Sequence, residues 1–435
     1  MYRRDSLRWL VSVMIAFAAL ATSFATAVYA QQEPEQASPW DTLSPYLELR
    51  LRPLWLSDGN DLGGDLTLNL RTRAGLRWEP DERLVITAVF QDMRAFALSD
   101  SPGSLPPGPH APQTGKTDLY LGNLEWAPLD GLTLLMGRQE LAYDDQRLVG
   151  ALDWFDQGRQ FDALRLRLGA RAHNYDAFSL DIFWAPITFA DEPAEFGEYD
   201  RQFAGVHATI PTNDEMRLSA YAYHLAARSP QPVHTFTLGT YHARLPHKGF
   251  RYQAVAAVQV NGDVLGEEMA FAWAVHGTLG FGFQALRLMA EVNAASGDTV
   301  TTGASRAFNN LFPTNHNKYG YIDRQNWSNT FNVALRGWYD TPVSWAEQPV
   351  TVELSVWAFW PQIYSGGSDV FLGQMEPGSS GLKALEFDLR VTHRCDLGLG
   401  FTFGTSVWVP GAVATRNGFG DTDVFLYGLV GITLS

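Results

Sequence analysis

The stretch that decides the fold is DLTLNLRTRAGLRW, which runs from Asp65 to Trp78. It alternates strictly between two faces, which is the pattern of a β-strand with one apolar and one charged side. The apolar face carries Leu66, Leu68, Leu70, Thr72, Ala74, Leu76 and Trp78, and the other face carries Asp65, Thr67, Asn69, Arg71, Arg73, Gly75 and Arg77. Fourteen residues also exceed the usual strand of a soluble sandwich, which is about 5–6 residues long. We therefore predict that Arg71, Arg73 and Arg77 point into the lumen of a barrel while Leu68, Leu70 and Trp78 face lipid.

The same alternation returns along most of the chain and predicts eighteen strands between residues 45 and 434. The connections tend to alternate between tight turns, such as Pro246 to Gly249, and long loops, such as Ser296 to Ser328. Short turns at one end and long loops at the other are typical of an outer-membrane barrel. The sequence therefore predicts an all-β protein, a transmembrane antiparallel up-and-down β-barrel over residues 45–435, after a short periplasmic segment at 31–44.

Residues 1–30 are predicted to be a cleavable signal peptide. Arg3, Arg4 and Arg8 form a positive region, Trp9 to Leu20 is mostly apolar, and Val28-Tyr29-Ala30 supplies a cleavage signal. A membrane anchor is the weaker interpretation because its apolar core falls short of roughly 20 residues. We therefore expect export to the bacterial outer membrane. The formal net charge of -15 argues against nucleic acid as a partner, and the one cysteine, Cys395, forms no internal disulfide.

Tryptophans give a second signal for a membrane barrel, because barrels place aromatic side chains at both membrane interfaces. Several fall near predicted strand ends, namely Trp78, Trp126, Trp184, Trp338, Trp357, Trp360 and Trp408. Two of them, Trp338 and Trp357, share the parity of the lumen and are poor candidates for the interface.

The face predicted to line the lumen carries thirteen arginines and eight carboxylates. The arginines are Arg50, Arg52, Arg71, Arg73, Arg77, Arg159, Arg165, Arg167, Arg217, Arg251, Arg287, Arg336 and Arg390. The carboxylates are Glu48, Asp65, Glu125, Asp181, Glu291, Glu353, Glu386 and Asp388. This excess predicts a cationic lumen in an acidic protein. The alternative is that these arginines only neutralise the lumen carboxylates.

The choice of cation points to carboxylates as cargo, since the chain has four lysines among its thirty-two basic residues. A guanidinium is planar and holds a carboxylate through two parallel hydrogen bonds. A row of such groups lets an anion pass from site to site without deep trapping, as conduction requires. From parity, the arginines expected on this path include Arg71, Arg73, Arg165, Arg336 and Arg390.

Two stretches carry a resemblance to a known family. They are Gly137 to Leu166, GRQELAYDDQRLVGALDWFDQGRQFDALRL, and Phe308 to Asp323, FNNLFPTNHNKYGYID. Together they resemble the alginate-export family of outer-membrane proteins. The resemblance implies an eighteen-stranded barrel that passes the uronate polymer alginate outward through an arginine-lined lumen. On the matching motif it adds Arg138, Arg147, Arg159 and Asp162 to the substrate path. The best-known exporters have a long periplasmic turn before the last two strands, whereas here that connection, near Arg394 to Asp396, is short.

Three functions compete at this stage. The first is export of an anionic polysaccharide, which predicts a periplasmic scaffold partner and a continuous arginine track. The second is an anion-selective porin that takes up small organic anions, which predicts a localised arginine cluster. The third is an outer-membrane hydrolase, which is disfavoured because His207, His224, His242 and His276 have no partner at catalytic spacing. No cofactor or metal site is predicted, and His316 is interpreted as a loop-packing residue.

Overall fold

The computed structural model describes residues 42–57, 65–97, 116–171, 177–187, 201–213, 215–227, 233–262, 269–299, 304–345, 348–395 and 398–434. The predicted signal peptide, residues 1–30, and the segment 31–41 lie outside this range. Within it, no helix is long and apolar enough to cross a membrane.

Eighteen long antiparallel strands form one sheet, and two very short ones form a separate hairpin. In chain order the strands are β1 Leu43–Leu56, β2 Asp65–Asp81, β3 Leu84–Ala97, β4 Lys116–Leu129, β5 Leu132–Gln139, β6 Phe161–Gly169, β7 Ser179–Ile187, β8 Arg201–Asn213, β9 Met216–Ala227, β10 Val233–Arg244, β11 Gly249–Gly262, β12 Met269–Gly282, β13 Leu286–Ala295, β14 Thr330–Trp345, β15 Gln348–Trp360, β16 Ser368–Asp369, β17 Gly373–Gln374, β18 Ala384–Arg394, β19 Leu399–Pro410 and β20 Asp423–Leu434, with the short helix α1, Ala412–Arg416, between β19 and β20.

The sheet closes on itself because its first strand pairs on both sides. Strand β1 pairs with β2, with Arg50 opposite Arg71, and also with β20, with Leu47 opposite Leu434. Every other strand of the sheet pairs with its two neighbours along the barrel. The predicted eighteen-stranded antiparallel barrel is therefore confirmed. Closure leaves no open sheet edge, as a lipid environment demands.

The predicted register of β2 is also confirmed. Arg71 and Arg73 are buried inside the barrel, whereas Leu76 and Trp78 on the alternate face are exposed. Arg77 keeps the inward parity, but it lies near the short-turn end and forms an exposed ion pair with Glu79. A shift of one residue would place the arginines in hydrocarbon, at about 2–4 kcal/mol for each one near the midplane.

The tryptophans divide between the two faces. Trp78, Trp126 and Trp184 are exposed on the outer face, as expected for side chains at a membrane interface. Trp357 is buried, in keeping with its inward parity. Trp408 is buried as well and stacks on Phe359, with 5.7 Å between the ring centroids. Its assignment to the interface is therefore wrong, because it packs inside the barrel.

Two long connections fold into the barrel, and we call them loop A and loop B. Loop A comprises residues 140–160 between β5 and β6, and loop B comprises residues 296–329 between β13 and β14, described except for 300–303. Within the described residues, the non-glycine positions with positive φ all lie in these loops: Asp144, Gln146, Leu152, Leu311, Asn317, Asp323 and Asn329. Such conformations persist only where the surroundings impose them. The packing around both loops is therefore specific.

Candidate functional site

Loops A and B bind each other through their backbones inside the barrel. Gly150 N–H donates to the carbonyl oxygen of Phe312, and Phe312 N–H donates to that of Leu148, both at 2.9 Å. Thr314 N–H donates to Gln146 at the same distance. These bonds make the two loops one unit across the lumen. The two stretches that carried the family resemblance are thus the two halves of this constriction.

Aromatic stacking joins the same loops. The rings of Trp154 and His316 lie parallel with centroids 3.6 Å apart, and His316 Nδ1 is 2.8 Å from a carboxylate oxygen of Asp323. Burial lowers the pKa of His316 well below its ordinary value, and the positive charges of Arg390 and Arg52 lower it further. A buried imidazole that stacks on Trp154 and binds a carboxylate of its own loop is a packing residue, as the sequence predicted.

Arginines of the first two strands hold loop A against the wall. The buried carboxylate of Asp156 accepts hydrogen bonds from Arg50 at 2.8 Å, from Arg52 at 2.5 Å and from Asn69 at 2.7 Å. Arg50 also donates to the carbonyl oxygen of Phe155 at 2.9 Å. Buried charges need such complete pairing to avoid a large desolvation cost. The inward-facing side chains of β1 and β2 therefore hold loop A in place.

The next arginines bind the tip of loop A. Arg71 donates to Asp153 at 2.8 Å and Arg73 donates to the same oxygen at 3.2 Å. Both arginines also bind the carboxylate of Glu48, and the Arg73 guanidinium lies 3.4 Å above the Tyr120 ring. Two loop carboxylates and one wall carboxylate thus engage the arginine row of β1 and β2.

Loop A is held on its other side by a buried polar network. Arg147 of loop A donates to Asp145 of the same loop at 3.0 Å. It also donates to two side chains of the barrel wall, Asn293 at 3.0 Å and Glu291 at 3.3 Å. Burial alone would raise the pKa of Asp145, but Arg147 outweighs it, so the pKa lies below its ordinary value. This network fixes loop A to β13 as the arginines fix it to β1 and β2.

Loop B is anchored through a wall carboxylate. Glu386 accepts hydrogen bonds from the backbone N–H groups of Tyr321 and Ile322 at 2.6 and 2.9 Å. The Tyr321 hydroxyl donates to Glu353 at 3.0 Å. Gly320 precedes them with φ of 87°, and a Cβ there would lie 2.3 Å from a carboxylate oxygen of Glu386. Only glycine permits this approach.

The structure places two predicted path residues outside the lumen. Arg138 has the parity of exposed Met136 in β5, and Asp162 stands between buried Phe161 and Ala163 in β6. They lie opposite each other on the outer face and form two hydrogen bonds of 2.9 Å. The prediction that both line the lumen is wrong, because the period of two turns these side chains outward.

Arg159 and Arg147 lie in loop A rather than on a strand. Strand β6 begins at Phe161, two residues later than the position of Arg159. The Arg159 guanidinium donates to the carbonyl oxygens of Gly150 at 3.3 Å and Pro313 at 2.9 Å. Arg159 therefore joins loop A to loop B, and its expected place on the strand wall is corrected.

The remaining predicted arginines face the lumen below the loops, toward the short-turn end. Arg336 and Arg390 share the carboxylate of Glu353, and Arg165 lies 3.7 Å from Asp181. The Arg390 side chain keeps 25% of its surface exposed, whereas Glu353 keeps only 2%. Arg165 and Asp181 show the same contrast, at 14% and 1%. The carboxylates lie against the wall and the cations face the lumen.

Sequence reasoning missed the loop carboxylates Asp153 and Asp156. No periodicity marks them, since they belong to an irregular loop, and their partners lie about a hundred residues away in the chain. The stretch from Gly137 to Leu166, which is rich in acidic residues and arginines, was the part of the sequence that could have indicated them. Among the described residues, no group of three or more histidine, cysteine or acidic side chains could hold a metal ion.

A family model described as alginate export matches residues 74–423, and no curated protein matches. Among solved structures, OccAB1 of Acinetobacter baumannii is similar with a TM-score of 0.64 and 10% identity, over 90% of this chain and 97% of that one. Pseudomonas aeruginosa OccK9 (OpdG) is similar with a TM-score of 0.59 and 15% identity, over 92% of this chain and 100% of that one. OccK5 (OpdH) of the same organism has a TM-score of 0.59 and 12% identity, over 92% of this chain and 99% of that one. At these identities the likeness concerns the fold.

Proposed function

Because this chain belongs to the alginate export family of outer-membrane barrels, we propose that it is a pore for anionic saccharides of the uronate class. Export of an alginate-like polymer from the periplasm is the function that the family favours. The cationic side chains below the loops favour the same cargo, since guanidinium groups bind carboxylates in two-point fashion. The proposed direction places these arginines at the periplasmic entrance.

The observation that carries the proposal is the orientation of the ion pairs in the half of the lumen toward the short-turn end. In the pairs of Arg165, Arg336 and Arg390, the arginine faces the lumen while its carboxylate is nearly inaccessible behind it. A solute in the lumen therefore meets positive charge first, and two of these arginines, Arg336 and Arg390, share a single carboxylate. The field at the surface of a narrow, low-dielectric passage follows the nearest charges. This arrangement supports selection of anions.

The proposal is tested by replacing one of these arginines and measuring ion selectivity. Arg390→Gln removes a lumen-facing cation and leaves Glu353 bound by Arg336 and Tyr321, so no buried charge is left alone. We expect purified wild-type protein in a planar bilayer to prefer chloride over potassium, and Arg390→Gln to prefer it less. Arg138→Gln is the matched control, because Arg138 lies on the outer face. Cation preference of the wild type would contradict the proposal.

The packed upper lumen favours a second candidate, an anion-selective porin for uptake of small organic anions. Loops A and B fill the barrel with buried side chains such as Leu141, Tyr319 and Trp327. A chain of sugar rings needs a continuous path past them, whereas a small anion needs only a gap.

The two candidates differ in how current block depends on the length of the anion. Polymer conduction predicts that uronate oligomers block for longer as the chain grows, since more residues contact arginines in succession. A small-anion porin predicts that glucuronate enters, while longer oligomers are excluded and give no block. Single-channel recording with a length series of oligouronates separates these outcomes.

A further inference from the structure

The Asp153 side chain at the tip of loop A is exposed, although the arginines that it binds are buried. It is 63% exposed, yet it binds Arg71 and Arg73, whose side chains are only 1% and 3% exposed. Arg50 lies 3.9 Å away as well. A carboxylate that is held only to stabilise the loop is expected to be buried with its partners, as Asp156 is. Asp153 instead covers the guanidinium groups from the solvent side.

The loop does not depend on Asp153 for its position. Asp156 carries the buried ion pairs with Arg50 and Arg52, and Arg50 and Arg71 also bind backbone carbonyl oxygens of the tip, including that of Phe155. Rotation about the side-chain bonds of Asp153 would therefore free the arginines without moving the backbone. Exchange of this carboxylate for another then requires no opening of the loop.

The arginines are suited to receive a carboxylate from the lumen. The Arg73 guanidinium is held flat over the Tyr120 ring at 3.4 Å, which fixes its orientation. A ligand carboxylate that replaces Asp153 would accept hydrogen bonds from the same Arg71 and Arg73 donors that Asp153 now occupies.

We propose that Asp153 is an internal ligand of a carboxylate-binding site formed by Arg71 and Arg73, and that the carboxylate of a uronate sugar displaces it during passage. The inference rests on the proposed function and names where in the constriction the cargo binds. A built-in competitor weakens the site for each passing sugar. Weak binding is what conduction requires, because a cargo that binds tightly does not leave.

The test compares Asp153→Ala with wild-type protein in single-channel recording, with glucuronate as the blocking probe and glucose as its neutral counterpart. Removing the competitor is expected to lower the half-blocking concentration of glucuronate about tenfold, which corresponds to about 1.4 kcal/mol, and to leave glucose without effect. Asp153→Asn, which keeps the size of the side chain, is expected to act in the same direction.

Asp162→Ala is the matched control, because Asp162 is also exposed, at 58%, and bound by an arginine, but on the outer face. Its glucuronate block is expected to equal that of the wild type. An unchanged half-blocking concentration in both Asp153 variants of an anion-selective pore would overturn the inference alone. A cation-selective wild type that glucuronate does not block would overturn the proposed function and the inference together.

Discussion

Replacing Asp156 with alanine is expected to release loop A from the barrel wall and to destabilise the protein strongly. Asp156 is the common partner of two buried arginines, Arg50 and Arg52, and accepts a third hydrogen bond from Asn69. Its loss leaves two buried guanidinium groups without their common carboxylate, and among the described residues only Arg50 keeps a second one, Asp153 at 3.9 Å. Breaking a buried ion pair by removing one partner costs about 3–5 kcal/mol. Since both arginines keep carbonyl contacts in the loop, the lower end of that range is expected.

The assay is urea unfolding of the detergent-solubilised barrel, followed by tryptophan fluorescence and by limited proteolysis of loop A. Asp156→Ala is expected to lower the free energy of unfolding by about 3 kcal/mol and to make the loop cleavable well before the barrel unfolds. Asp162→Ala removes an exposed pair worth about 0–1 kcal/mol and serves as control. Equal midpoints for the two variants, with loop A still protected in both, would refute the assigned role of Asp156.

Two further predictions concern pH and backbone geometry. Burial alone would raise the pKa of Asp156, but Arg52 and Arg50 outweigh it and hold the pKa below its ordinary value. The ionised carboxylate therefore stabilises loop A fully above about pH 4, and this stabilisation is lost as the pH falls through the lowered pKa. Proteolysis of loop A should increase in acid in the wild type and not in Asp156→Ala. Gly320→Ala forces a Cβ against Glu386 at positive φ, whereas the Cβ of Gly249→Ala meets nothing within 4 Å at a φ of 92°. Backbone strain should lower the free energy of unfolding of both variants by about 1–3 kcal/mol. Only Gly320→Ala should lose more than this and release loop B. Equal losses would show that crowding at Glu386 is unimportant.

The barrel could be predicted because its forces act locally. Alternation from Asp65 to Trp78 assigns each side chain to lipid or lumen, and the structure agrees at Arg71, Arg73 and Trp78. The same rule also applies to Asp162, whose parity pointed outward. The family resemblance had placed it in the lumen, and here parity was the better guide.

The constriction could not be derived in this way. Loop A follows no period, and its conformation depends on partners such as Arg52 and Asn293 that stand 102 and 146 residues from the residues they bind. The arginine excess on the inward parity was visible in the sequence. Which of these arginines anchor loop A, as those of β1 and β2 do, and which face the lumen, as Arg336 and Arg390 do, depends on how the loops pack.

The position of Trp154 has a consequence for the order of folding. Its ring contacts Arg52 of β1 and Tyr427 of β20, with centroid distances of 4.8 and 5.2 Å, so it lies across the junction where the first and last strands pair. The chain must reach its C-terminal strand before these contacts can form. Contacts between residues far apart in sequence form slowly. Insertion of loop A is therefore expected to be a late step that follows closure of the cylinder, so that a newly inserted barrel is open before it is selective.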